Sequence, residues 1–168
     1  RLGRLALAGF LLFYPEVDMA ARPQVTDIHS RDNAFVKELR RLSQDSTAYR
    51  KQGQVWLEGD HLCRAALARG LAPKVAVFAE SFWPKAPEEW AQPASKVIVL
   101  ADALFDEISS LESPARMGYV MDWDASVQAQ AGVATVVLDR VQDAGNVGSI
   151  LRSASAFGFK QIVALKGT

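Results

Sequence analysis

A single cysteine, Cys63, among 168 residues excludes an internal disulfide framework. Two histidines, His29 and His61, are too few beside that thiol to build a zinc module, so no metal is expected. No apolar run approaches the roughly 20 residues that a membrane helix requires. Neither G-x-G-x-x-G nor a lysine-bearing phosphate loop occurs, which removes the usual dinucleotide and NTP signatures. An excess of either charge is also missing: Lys and Arg number 19, Asp and Glu 19. What is present, 49% hydrophobic and 23% charged residues, is the composition of an ordinary globular chain and excludes wholesale disorder. The length suits one full core, or one domain and part of another.

The neutral total conceals an asymmetry. Arg22 to Lys74 carries ten basic and six acidic residues, Val75 to Gly132 three and nine, and Val133 to Thr168 four and two. The first block is thus the one suited to a polyanion, although a solvated helix face accounts for such charges equally well. The chain begins with arginine, as a fragment or processed product would. Residues 1–18 pair a basic start with an apolar stretch, Leu5 to Tyr14, in the manner of a secretory leader. No small-x-small cleavage site follows, and a start at Met19 explains the stretch as well. In the absence of a credible export signal, the cytoplasm is the expected location.

From Asn33 onward the pattern is regular. Phe35, Val36, Leu39 and Leu42 recur at helical spacing. Ser46-Thr47 is placed to cap a short second helix ended by Gly53. Val55 to Leu57 reads as a buried strand, and Asp60 as the cap of a helix from His61 to Arg69. Further strands are expected at Lys74 to Ala79, Lys96 to Leu100 and Gly118 to Met121. Pro84, Pro87 and Pro93 bracket a loop and short helix around Trp90, and Asp102 is placed to cap a helix from Ala103 to Ser109. Strands alternating with helices mean an α/β fold. The expected organisation is an N-terminal extension (1–27), a first domain (28–123), a linker (124–132) and a β–α–β segment (133–168). That last segment, with a helix expected from Gly148 to Phe157, is too short to cover its own apolar surface.

Within it, a strand expected from Thr135 to Leu138 feeds Asp139 to Arg152, a glycine-containing turn that opens a helix, a geometry that can face an anion. At about 100° per residue, Val147, Ile150, Leu151, Ala154, Phe157 and Gly158 share one face. Ser149, Arg152, Ser153 and Ala156 share the opposite one. On periodicity alone Arg152 is a solvated arginine, and Asn146 is as well suited to cap the helix as to bind anything. Cys63 reads as a small buried hydrophobe, His29 and His61 as local hydrogen-bonding residues, Trp56 as core, and Tyr49 as a residue able to stack on a base. Lys37, Arg40, Arg41 and Arg50 are the candidates for RNA phosphate contacts, with a solvated helix face as the plainer alternative.

The run LDRVQDAGNVGSILRSASAFGF, Leu138 to Phe159, resembles the first conserved motif of the SpoU (TrmH-type) branch of the SPOUT RNA methyltransferases. The match includes Asp143, Asn146, Gly148, Arg152, Ala154, Ala156, Phe157 and Gly158. Ala144 stands where proline is more usual, which bears on turn rigidity more than on chemistry. Upstream, Asn33-x-x-Val36-Lys37, Arg50, Trp56-Leu57-Glu58-Gly59, Ser113-Pro114 and Gly118-Tyr-Val follow the order of that family's L30e-like substrate-binding domain.

The resemblance implies an L30e-like α/β RNA-binding domain followed by the first β–α–β segment of an α/β trefoil-knot methyltransferase domain. It implies transfer of a methyl group from S-adenosylmethionine to a ribose 2′-hydroxyl of rRNA or tRNA. Arg152 would be catalytic, Asn146 would help hold the site, and the full-length protein would be a homodimer. The cofactor-binding motifs of the family would fall beyond Thr168, leaving these residues inactive alone. A non-catalytic L30e-like RNA-binding protein is the alternative, and a nucleotide-binding α/β protein is disfavoured by the glycine spacing.

Overall fold

The computed structural model describes residues 23–168 apart from Ser110, Glu112 and Lys166. The leader-like stretch and Met19 lie outside the described residues. The chain divides after Trp123 into two compact units, the second spanning Asp124–Thr168. Among the described residues no helix is long and apolar enough to cross a membrane.

The first unit is a five-stranded sheet with helices on both faces. Its strands are β1 (Gln24–Ile28), β2 (Gln54–Glu58), β3 (Val75–Ala79), β4 (Lys96–Leu100) and β5 (Met117–Asp122), in the order β1-β4-β3-β5-β2. β1, β4 and β3 are parallel, and β5 runs antiparallel to both β3 and β2. Strand alternation divides the core in two. Val77, Ala79, Ile98 and Leu100 point toward α1 (Ala34–Gln44) and α4 (Asp102–Ile108), where Val36, Leu39, Leu104 and Phe105 meet them. Ala76, Phe78, Val97 and Val99 point the other way, toward Cys63 on α3 (Asp60–Ala68) and Ala91 and Ala94. The central strands are therefore apolar on both faces, which is why β3 and β4 read as continuous hydrophobic runs.

Several expectations need correction. β1 was not anticipated, and the boundary expected at residue 28 cuts it off from its own sheet. As an edge strand it buries only Ile28, so QVTDI carries little apolar signal. β2, the opposite edge, is half-buried throughout rather than buried. Two caps differ and a third is met in part. Gly59, with φ +102°, precedes α3, and Asp60 is already helical. Thr47 stands at the N-cap of the short helix α2 (Ala48–Gln52), as expected, but its side chain makes no cap bond; its N–H (2.8 Å) and hydroxyl (2.7 Å) instead donate to the Asp45 carboxylate. Asp102 does not cap its own helix. It accepts from the N–H (3.1 Å) and hydroxyl (3.0 Å) of Ser81, and these bonds hold its carboxyl below the usual carboxylate range. Two single-turn 3-10 helices, Trp83–Lys85 and Glu88–Trp90, form the proline-bracketed segment.

Cys63 is fully buried, as its sequence context suggested. Burial, with the nearby charge of Asp60, raises its thiol to about 12. A thiolate is the reactive form, so Cys63 in the folded chain is expected to react with a disulfide reagent at pH 8 at least roughly 100-fold more slowly than in urea. Stopped-flow absorbance of the released thiolate checks this, and equal rates would contradict the placement of Cys63.

The second unit contains β6 (Thr135–Leu138) and β7 (Gln161–Ala164), paired in parallel and joined by α5 (Ala144–Ala156). The segment expected as a linker is tied into this unit through Gln161. Its side chain bonds Gln130 N–H (2.7 Å) and C=O (3.3 Å) as well as the Thr135 hydroxyl (2.7 Å). Among the described residues of this unit Leu138 and Ala154 are buried, whereas Val137, Leu151, Phe157, Phe159, Ile162 and Leu165 remain exposed. Of the apolar helix face expected from periodicity, Val147, Ile150 and Ala154 turn inward, but Leu151 and Phe157 do not. One helix over two strands has too little surface to bury all of them.

Candidate active site and nucleic-acid interface

In the second unit, α5 starts a full turn before the expected Gly148 because Asp143 caps it. The Asp143 carboxylate accepts from the Asn146 N–H at 2.7 Å, so Asn146 lies inside the first turn with its side chain exposed and is not the cap. This bond satisfies one of the orphan amides of the helix N-terminus. The turn entering the helix includes Arg140 with φ +55°, an uncommon left-handed conformation for a residue with a side chain.

Arg152 is exposed on α5. Its Nη2 donates to the Ser149 hydroxyl (3.1 Å), which in turn donates to the Gly145 carbonyl (2.9 Å). A Cβ on Gly148 would stand 3.4 Å from Arg152 Nη1, so the guanidinium lies against the bare backbone of Gly148. Among the described residues no carboxylate pairs with Arg152. Its charge is thus oriented by a neutral hydroxyl and available to an anion. Asn146 and Arg152 are not brought together: six helical residues separate them by about 9 Å of rise and about 120° of rotation. Beside the helix, Val136, Ser149, Ile150, Ser153, Ala154, Phe157 and Phe159 line an open apolar depression.

In the first unit, Lys37, Arg40, Arg41 and Gln44 recur at i, i+3, i+4 and i+7 and form one face of α1, opposite buried Val36 and Leu39. Lys37 is exposed and pairs with Asp32 at 3.1 Å, a surface contact that a phosphate can displace at little cost. Arg41 is exposed in the last turn. Arg40 is placed differently. It is half-buried and bonds Glu107 of α4 at 2.7 Å, and Arg31 bonds the same carboxylate. Arg40 therefore braces α1 against α4 before it can meet any ligand.

Arg50, on α2, donates from Nε to the Tyr49 hydroxyl (3.0 Å), with its guanidinium carbon 5.5 Å from the Tyr49 ring centre. Lys51 and Arg41 both lie close enough to Asp45 to help lower its carboxyl, after the larger effect of the Thr47 bonds. The sequence drew no attention to Trp123, yet its ring sits edge-on to Tyr49, centres 5.0 Å apart. The only available signal was an aromatic residue just past a strand end. Trp56 is packed against the core beside Phe105, as expected. His29 approaches Glu80 at 4.0 Å, and His61 is exposed.

Residues 33–117 match the MRM3-like substrate binding domain, and residues 134–168 match the SpoU rRNA Methylase family. An uncharacterised tRNA/rRNA methyltransferase of Synechocystis is 33% identical over 82% of this chain and 52% of its own length. The 23S rRNA (guanosine(2553)-2′-O)-methyltransferase RlmP of Bacillus subtilis is 28% identical over 84% and 55%. The crystal structure of an AdoMet-bound rRNA methyltransferase from Sinorhizobium meliloti aligns with a TM-score of 0.63 and 27% identity, over 84% of this chain and 54% of that one. The chain spans about half the length of the curated relatives it matches.

Proposed function

Because the chain belongs to the SpoU rRNA methylase family and carries an MRM3-like substrate-binding domain ahead of the SpoU segment, we propose that the whole protein is an S-adenosylmethionine-dependent RNA methyltransferase. Its acceptor is a ribose 2′-hydroxyl, in rRNA in preference to tRNA, and it works in the cytoplasm as a homodimer. The observation that carries the reading is the SpoU motif lying on a strand–turn–helix that presents Arg152 with no carboxylate partner among the described residues.

S-adenosylmethionine supplies the methyl group in this reading. The depression beside α5 is open and mainly apolar, so no residue of this chain is assigned to the cofactor. The acceptor side is where the chain's own groups can act. A ribose hydroxyl is a poor nucleophile until its proton leaves, and charge then develops on its oxygen. Arginine side chains are not deprotonated in proteins, so Arg152 serves by stabilising the 2′-oxyanion while the proton passes to water. Ser149 aims the guanidinium, and Asn146 belongs to the neighbouring turn that receives the ribose–phosphate backbone.

The test is incorporation of labelled methyl from S-adenosylmethionine into unmethylated RNA by the whole protein, followed by alkaline digestion. A 2′-O-methyl group blocks alkaline cleavage, so label is expected in alkali-resistant dinucleotides. Label released as mononucleotides would place the methyl on a base and defeat the reading. RNA binding without any transfer would instead favour a non-catalytic role.

The first unit supplies the electrostatic part of RNA binding in this reading. Lys37→Gln and Arg41→Gln are each expected to lower the slope of log affinity against log salt by about 0.7–0.9, one phosphate contact apiece. Arg40→Gln is expected to leave the slope nearly unchanged and to lower the melting temperature, because it removes a partner of Glu107. Fluorescence anisotropy across a salt series, with a thermal melt of each variant, distinguishes the two behaviours.

A further inference from the structure

We propose that Trp123 and Tyr49, with Arg50 beside them, form a shelf on which one unpaired nucleobase of single-stranded RNA stacks. This rests on the reading of the chain as RNA-handling, and it names what the first unit recognises beyond phosphate charge.

Three of the four tryptophans have interior roles: Trp56 packs toward Phe105, Trp83 on Phe78 and Trp90 on Phe82. Trp123 is different, with 44% of its surface exposed. It is nevertheless held in place. Its backbone N–H donates to the Gly53 carbonyl (2.8 Å), and Tyr49 braces the indole at an interplanar angle of 78°. An exposed indole fixed in this way loses little freedom when a second ring is laid on it, which is the requirement for a stacking platform.

Charged groups of both signs surround the pair. The Tyr49 hydroxyl holds Arg50 at 3.0 Å, and Arg50 and Lys51 are both exposed. The carboxylates are engaged: Asp122 by Lys74 (3.3 Å), Asp124 by the Ser126 N–H (2.8 Å) and hydroxyl (2.6 Å), Asp45 by Thr47. The Gln52 amide of α2 donates to the Glu38 carbonyl of α1 (3.4 Å), which ties the two helices together. An aromatic face with a guanidinium held against it matches a base with its phosphate, whereas a protein partner of acidic or apolar character would use only half of it. A base paired within an A-form helix keeps its faces stacked on its neighbours, so the ligand is single-stranded.

The test measures binding of the 168-residue chain to uridine and adenosine decamers and to an RNA duplex of equal length. Trp123→Ala is expected to weaken binding to the single strands roughly tenfold, with the salt slope and the duplex affinity unchanged. Trp123→Phe is expected to recover most of that loss. The decamers are also expected to quench part of the tryptophan emission of the native chain and none of that of Trp123→Phe, a readout that holds even if the alanine variant folds poorly. Unchanged single-strand affinity, or an equal loss for duplex and single strand, overturns the shelf. Either result leaves the methyltransferase reading intact, since that is decided separately by the alkali-resistant label.

Discussion

Replacing Arg152 with alanine is expected to reduce methyl transfer by the whole protein about 10²–10³-fold, the loss found when one pre-aimed donor to a developing oxyanion is removed. The effect should fall on kcat, with RNA affinity little changed, because the lysine and arginine residues proposed to carry the electrostatic part of RNA binding, Lys37 and Arg41, lie in the first unit. Arg152 is exposed and among the described residues bonds Ser149, so the melting temperature should hold within the range of neutral surface changes. Arg152→Lys separates the possible roles. Lysine keeps the charge but offers a compact ammonium instead of a planar fork. If the guanidinium both bonds Ser149 and faces the oxyanion, lysine restores a minor part of the rate and leaves the pH profile in shape. Full activity in Arg152→Lys would show that charge alone suffices. A new titration in its pH profile would point to proton abstraction at this position. Ser149→Ala should cost less than Arg152→Ala, since it loosens the guanidinium without removing it.

The largest expected effect on stability comes from Gly118→Ala. Gly118 lies in β5 opposite Glu58 of β2, and the ring of Trp56 crosses diagonally above it. A Cβ built on Gly118 would stand 2.2 Å from Trp56 Cη2 and 2.7 Å from the Leu57 carbonyl oxygen. Neither neighbour can yield cheaply. The ring is set against Phe105 with its N–H toward Glu58 (3.4 Å), and the carbonyl belongs to the backbone of the adjacent strand. Overpacking of this kind costs about 3 kcal/mol. For a unit of this size that lowers the melting temperature by about 10–20 °C. Calorimetry of Gly118→Ala checks the value, and combination with Trp56→Leu should recover part of it, the part owed to the ring. An unchanged melting temperature would mean that Trp56 moves aside freely.

The sequence alone determined most of the alternation of strands and helices, and for β4 and β6 even the boundaries; in β4 the short apolar run between polar residues reports directly on burial, whereas in β6 only Leu138 is buried. It also singled out Arg152, through the resemblance carried by Asp143 to Gly158. The α/β class and the core placement of Trp56 and Cys63 were legible for the same local reason. Tertiary structure decided the rest. β1 earns its place by pairing with β4, more than sixty residues later, and nothing within QVTDI signals that partner. Asp102 looked like a cap until the fold supplied Ser81 as its donor. Arg40 and Arg41 are neighbours in sequence, yet one is committed to Glu107 and the other is exposed, because α4 covers only one side of α1. Periodicity tells which side of an element turns inward. Which distant residue waits there is set by strand pairing and helix packing, and the meeting of Tyr49 with Trp123 is fixed at that level.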